Sequence, residues 1–247
     1  MSKSGSSSAP DVYPIPGSRE IHPKGLLEAL SYIDQNFANE LGGCIISSRF
    51  LNIQQRLEFM EVGVRSSVIS GVISVVLTPI AIGVLEKYIP MFGNTSPNPI
   101  DQFSALLLAL SFYIGYAAFI AKSAKNFIGE YTRSMVRNLL GGMTLGAVMK
   151  TILAYIAFQT IYFYIITESH IFWVSQQLYH ARLKPESISR FYYWLVGFRP
   201  VFLTSANFVV LTTVIFTAIP WMSYLWAKSR NKKLIAAGTV KAEAVTF

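Results

Sequence analysis

The residues that could carry chemistry are few. Glu168 and His170 lie two apart, with His180 further on, and His22 stands alone near the start. A carboxylate beside an imidazole could share a proton or a metal ion, but one short pair lacks the spacing of a helical metal site such as HExxH. Interfacial polar residues account for Glu168 and His170 better. No phosphate-binding GxxxxGK[ST] loop and no GxSxG nucleophile elbow is present. Cys44 is the single cysteine, so the chain can form neither an internal disulfide nor a cysteine-based metal site. The expectation is a protein with no catalytic residues, no metal and no cofactor. The remaining polar residues of interest sit in apolar runs: Lys150 and Asn207.

Those runs define the architecture. Ser66–Leu85 has twenty residues without a charge, eleven of them Val, Ile or Leu. At 1.5 Å per residue it spans roughly 30 Å, the thickness of a bilayer's hydrocarbon core. Charged residues make up 14% of the chain and hydrophobic ones 52%. The charges cluster between the apolar runs, as they must when a charge at the bilayer centre costs several kcal/mol. The spacing predicts an all-α polytopic membrane protein with four transmembrane helices, at about 66–85, 103–121, 144–167 and 201–226. The net charge of +8 fits lysines and arginines meeting anionic lipid rather than nucleic acid, for which no motif is present.

Residues 1–23 hold four prolines among Ser and Gly and are expected to form a disordered tail. In 24–65, Leu26, Leu30, Ile33, Phe37 and Leu41 recur at steps of three and four. Ile46, Phe50, Ile53, Leu57 and Met60 repeat the pattern after Gly42 and Gly43. This predicts an amphipathic helical hairpin ahead of the first span. Gly63, Ser67 and Gly71 form a small-residue face on that span, and Gly142 and Gly146 make a GxxxG step on the third; both favour close helix packing. Asn207 is expected to hydrogen-bond to another helix, and Pro79 to bend the first span. Lys150 reads as an interfacial lysine that snorkels outward. The rival reading buries it in a polar cavity, which would require a carboxylate that none of the four runs contains.

The 168–199 connection is rich in aromatics, including Trp173 and Trp194. It predicts one or two short helices on the membrane surface, the second running from Pro185 until Pro200 stops it. Residues 228–247 form a basic tail. Counting Lys and Arg over alternate connections gives fifteen on the side of both termini against five on the other. Both termini are therefore expected in the cytoplasm.

The layout is similar to that of small inner-membrane proteins of bacterial secretion and conjugation systems, including entry-exclusion proteins. That similarity implies an integral protein of the bacterial inner membrane. The resulting expectation is a non-enzymatic protein that binds another membrane protein or a second copy of itself. Its candidate partner surface comprises Leu26, Leu30, Phe37, Trp173 and Trp194. The alternative is an oligomeric transporter or channel for a small solute, with Lys150 and Asn207 near its path.

Overall fold

A computed structural model describes residues 21–42, 51–81 and 99–237, with side chains left out of the description for 99–110 and 112. The regular structure of the described residues is entirely helical: α1 (Leu26–Leu41), α2 (Ile53–Pro79), α3 (Pro99–Ala124), α4 (Glu130–Thr160), α5 (Glu168–His180) and α6 (Pro185–Ala236). A π-helical turn, Ile161–Ile165, prolongs α4. Three of these helices, α2, α4 with its π-turn, and α6, are long and apolar enough to cross a membrane. The chain is an all-helical integral membrane protein. The tail at 1–20, the Gly43–Phe50 stretch with Cys44, Ile46 and Phe50, the end of the first apolar run at 82–85, and residues 238–247 lie outside the described residues.

The side-chain distribution follows from lipid as solvent. Branched aliphatics face outward on the long helices: Ile69, Val72, Ile73 and Val76 on α2, Ile152, Leu153 and Ile156 on α4, Leu211 and Val214 on α6. Hydroxyl and small residues face inward instead, among them Ser67, Thr78, Ser205 and Thr212. Lipid tails are as apolar as leucine, so burying leucine gains little there; close backbone approach and satisfied polar groups hold the helices together. Ser74 Oγ and Thr78 Oγ1 donate to carbonyls one turn back within α2, at 2.9 and 2.7 Å, and Thr212 Oγ1 donates to the Phe208 carbonyl at 2.9 Å. Between helices, Thr151 and Thr213 share a 2.6 Å hydrogen bond, and Trp221 Nε1 donates to Thr144 Oγ1 at 2.8 Å.

Helix directions alternate. Met60 meets Gly142, Val64 meets Gly146 and Gly71 meets Lys150, so α2 and α4 run parallel. Tyr116 stacks on Phe216, with ring centroids 4.7 Å apart, and Phe127 packs on Tyr224, which sets α3 parallel to α6. The Thr144–Trp221 and Thr151–Thr213 pairs make α4 and α6 antiparallel. The start of α2, the end of α3, the start of α4 and the end of α6 thus gather at one end of the bundle. The largest apolar cluster sits there, around Phe59, Phe127, Tyr131, Met135 and Leu139.

Two details differ from the sequence reading. The start of the expected second hairpin arm lies outside the described residues, and its described part is continuous with the first span. Ile53 opens a single 27-residue helix that runs into the apolar span and ends at Pro79. Its Ile53 and Leu57 are exposed while Gln55, Phe59 and Val62 turn inward, so the buried face is not the one the apolar spacing marks. Pro200 does not stop the second aromatic helix either. That helix continues through Pro200 and Pro220 for 52 residues. Each proline removes one backbone donor and crowds the carbonyl four residues earlier, and the rest of the ladder carries the helix past it.

Candidate functional site

Three features carry the side chains singled out by the sequence: the α2–α4 seam, the cavity beside it, and the aromatic end of the molecule.

At the seam the glycines allow backbone to meet backbone. A Cβ at Gly142 would overlap the Met60 carbonyl, and one at Gly63 would overlap the Leu139 carbonyl. At Gly146 it would lie 2.7 Å from the Val64 carbonyl oxygen and 3.2 Å from Ser67 Cβ. Gly63, Ser67, Gly142 and Gly146 therefore belong to one internal interface. Gly71 receives a side chain rather than a backbone: its missing Cβ makes room for the aliphatic stem of Lys150. Asn207 is not part of this interface. It lies on an exposed face of α6, next to buried Ala206 and Phe208, because the inward positions there belong to Ser205 and Val209.

Lys150 is the main correction to the sequence reading. It does not snorkel outward; only 7% of it is exposed, and it lies between α2 and α4. Its Nζ stands 5.6 Å from the centre of the Tyr113 ring, and no ion pair engages it among the described residues. It borders a cavity of about 190 Å³ with Ser67, Ser70, Ser74, Tyr113 and Tyr116. Tyr116 hydroxyl donates to Ser66 Oγ at 3.4 Å. The Ser67 and Tyr113 hydroxyls are buried without a hydrogen-bond partner. The sequence held the signal for this placement. Lys150 follows Gly142 and Gly146 at the same four-residue step, and so must share their face.

The residues read as a partner surface divide. Leu30 is buried in the main apolar cluster and Leu26 packs on its edge, while Phe37 is half-buried. The α1 stripe is therefore covered by the bundle at Leu26, Leu30 and Ile33, while Leu41 at its end is 63% exposed. Polar contacts fix it there. Glu40 is buried and accepts from the Ile128 backbone N–H at 2.7 Å and from the Thr132 hydroxyl. Asn126 Nδ2 donates to Asp34 at 2.8 Å. Tyr32 hydroxyl donates to Glu28 at 3.2 Å, and burial, together with that carboxylate, raises the Tyr32 phenol above its usual range. His22 pairs with Glu58 at 2.8 Å, tying the lead-in segment to α2.

At the other end, α5 packs on the first part of α6 through Ile171 and Ser175. Trp173 is 58% exposed, and Phe172, Tyr179 and Tyr193 are exposed beside it. Trp194 is half-buried and stacks on Phe198 at 5.4 Å. The candidate acid–base residues serve structure. Thr167 caps α5 by accepting from the His170 N–H at 3.3 Å, and the His170 ring Nδ1 lies 3.1 Å from the Ile165 carbonyl. Glu168 pairs with Arg199 at 3.9 Å. Arg199 Nε donates to the Tyr162 carbonyl at 3.2 Å and its guanidinium lies 4.6 Å from the Tyr162 ring centre. It thus satisfies a carbonyl inside the π-turn. Arg199→Ala is expected to lower stability by about 2 kcal/mol, read by thermal unfolding, because a hydrogen bond from a charged donor is lost together with a cation–π contact. Arg199→Lys should recover only part of it, lacking the planar fork.

Among the described residues no three His, Cys, Asp or Glu side chains gather as metal ligands. No protein-family model matches the chain, and no curated protein or solved structure is significantly similar to it.

Proposed function

We propose that this chain is a non-enzymatic membrane protein that acts by binding another membrane protein through its aromatic end. The observation that carries the reading is the continuity of α6. Fifty-two residues extend about 78 Å, more than twice a hydrocarbon core of roughly 30 Å. The Val201–Trp226 segment is sufficient to cross. The preceding turns, with α5 packed on them, then project beyond the hydrocarbon instead of lying flat in the headgroup layer. Exposed Trp173, Tyr179 and Tyr193 on such a projection meet water or protein, and aromatic side chains are the commonest anchors of protein interfaces.

In this reading α3 is the fourth span, between α2 and α4 in chain order. Both termini lie in the cytoplasm, in keeping with the Lys and Arg count, and the membrane is a bacterial inner membrane. A place in a secretion or conjugation apparatus, or in entry exclusion, belongs to the same proposal through the likeness of layout. The expected result is that Trp173→Ala with Tyr179→Ala lowers partner recovery at least tenfold after mild detergent extraction and cross-linking. The unfolding midpoint should stay within about 2 °C, because both side chains are exposed. Wild-type chain that is recovered alone and as a monomer would overturn the reading. The oligomeric transporter or channel is a second reading, supported by the cavity at Lys150; Asn207, facing outward, lends it nothing.

A further inference from the structure

Three arginines converge on one space at the end of the bundle opposite the aromatic residues. Arg133 and Arg137 stand one turn apart near the start of α4. Because α2 and α4 run parallel with Met60 against Gly142, Arg56, near the start of α2, comes level with Asn138. The three border a cavity of about 190 Å³ whose other walls are Glu130, Ser134 and Asn138. Every one of these side chains is polar.

Two of the guanidiniums are held in place. Arg56 Nε donates to the Leu51 carbonyl at 2.9 Å, and Arg133 pairs with Glu130. Arg137 has no ion pair among the described residues. Of the described residues bordering the cavity only Glu130 is acidic. The nearby acids of α2 are engaged elsewhere, Glu58 with His22 and Glu61 with Arg65. Three positive charges therefore share one negative charge. On the other side of Glu130 and Arg133, Lys228 and Lys232 border a second cavity of about 480 Å³, so the positive surroundings continue there.

We propose that the arginine cavity binds a phosphate dianion, inorganic or as a monoester, with the guanidiniums of Arg56, Arg133 and Arg137 as its donors. Like charges gathered around one space repel; a dianion removes that excess, whereas a monoanion offsets only half of it. The planar fork of each guanidinium presents paired N–H donors that match the oxygens of a tetrahedral oxyanion, a match that a spherical halide does not offer. The helix start adds to the effect: α4 opens on Gly129 without a side-chain cap, and its positive end lies beside the cavity. Along α2 the cavity stands nine residues, about 14 Å, before Arg65, where the uncharged run begins. Along α4, Arg137 stands two residues, about 3 Å, before Leu139. Lipid phosphate and dissolved phosphate compounds both reach that border. The inference does not depend on what binds the aromatic end.

The test uses the purified full-length chain in detergent at about pH 7.5, where a phosphate monoester is mostly dianionic. Inorganic phosphate and dioctanoyl phosphatidic acid are titrated separately against chloride of equal ionic strength, with the unfolding midpoint as readout. Ligand that binds only the folded state raises the midpoint saturably. At least one of the two phosphates is expected to do so, and chloride is not. A response to inorganic phosphate puts the source in solution; a response to phosphatidic acid alone puts it in the bilayer. Arg137→Gln should raise the half-saturating concentration about tenfold, the factor of one hydrogen bond to an ion. Its ligand-free midpoint should match the wild type, since Arg137 is exposed. Arg137→Lys, which keeps the charge without the fork, should fall between the two. Lys122→Gln removes the same charge from an exposed position at the same end, outside the cavity, and should leave half-saturation within about twofold. A wild-type midpoint indifferent to both phosphates overturns the proposal. So does a response that chloride matches, one that persists unchanged in Arg137→Gln, or one that Lys122→Gln weakens as much.

Discussion

Gly142→Ala is expected to abolish most of the folded protein, whereas Gly141→Ala, one position earlier, should leave stability within about 0.5 kcal/mol of the wild type. The two substitutions add the same methyl group to neighbouring residues of one helix, about 100° apart around its axis. At Gly141 the new Cβ meets nothing within 4 Å; at Gly142 it overlaps the backbone of Met60. A side chain could swing aside, but a helical carbonyl can yield only if α2 moves away from α4 as a body. That movement would also open the neighbouring contacts at Gly63 and Gly146, which rest on the same approach. Overpacking of this kind ordinarily costs about 1–3 kcal/mol; with backbone on one side and three linked contacts, the cost here should reach the upper end or exceed it. The monodisperse fraction after detergent extraction and the unfolding midpoint of the surviving material measure it. Equal behaviour of the two variants would show that α2 and α4 do not meet at Gly142.

The second large effect is at Glu40. Its carboxylate is buried and links α1 to the α3–α4 turn by accepting from the Ile128 N–H and the Thr132 hydroxyl. Glu40→Ala leaves the buried Thr132 hydroxyl without an acceptor, at about 1–3 kcal/mol, and frees the part-buried Ile128 N–H as well. The α1 helix has few other polar ties to the bundle, chiefly Asp34 to Asn126, so the loss should fall on α1 rather than on the spans. Hydrogen exchange is expected to accelerate at least tenfold across 26–41 in Glu40→Ala while the backbone of α4 beyond Leu139 stays protected. Glu40→Gln keeps one acceptor oxygen and should fall between the two. Uniform acceleration through all helices would mean that α1 and the bundle unfold together.

The outcome at these residues explains what could be read from the chain itself. Small residues at four-residue steps are legible because their physical role, letting backbones approach, needs no knowledge of the partner. Gly63, Ser67, Gly142 and Gly146 therefore marked the seam, although not which helix faced which. Apolar spacing was a poorer guide. Ahead of the first span, Ile53 and Leu57 trace a face that the bundle leaves exposed, while Gln55, Phe59 and Val62 turn inward. Lys150 is buried despite its cost in isolation, because its position is set by the glycine face that it continues and by the gap at Gly71. Asn207 is the complementary case: polarity in an apolar run does not say which face of the helix it occupies, and in α6 that face is exposed. Proline ends many helices, yet α6 runs on through Pro200, where the neighbouring Arg199 is tied to the Tyr162 carbonyl of the π-turn.

The unbroken course of α6 has a mechanical consequence. The aromatic end and the Asn231 side chain, which donates to the Phe127 carbonyl at the opposite end, belong to the same rod. An axial displacement at one end arrives at the other in register, because a helix is far stiffer along its axis than the packing around it. Bending is confined to where a rung of the ladder is missing, at Pro200 and Pro220. A pull on the aromatic end would therefore load the Thr213 and Trp221 contacts and the Phe127 turn together, at the far side of the bundle as well as the near one.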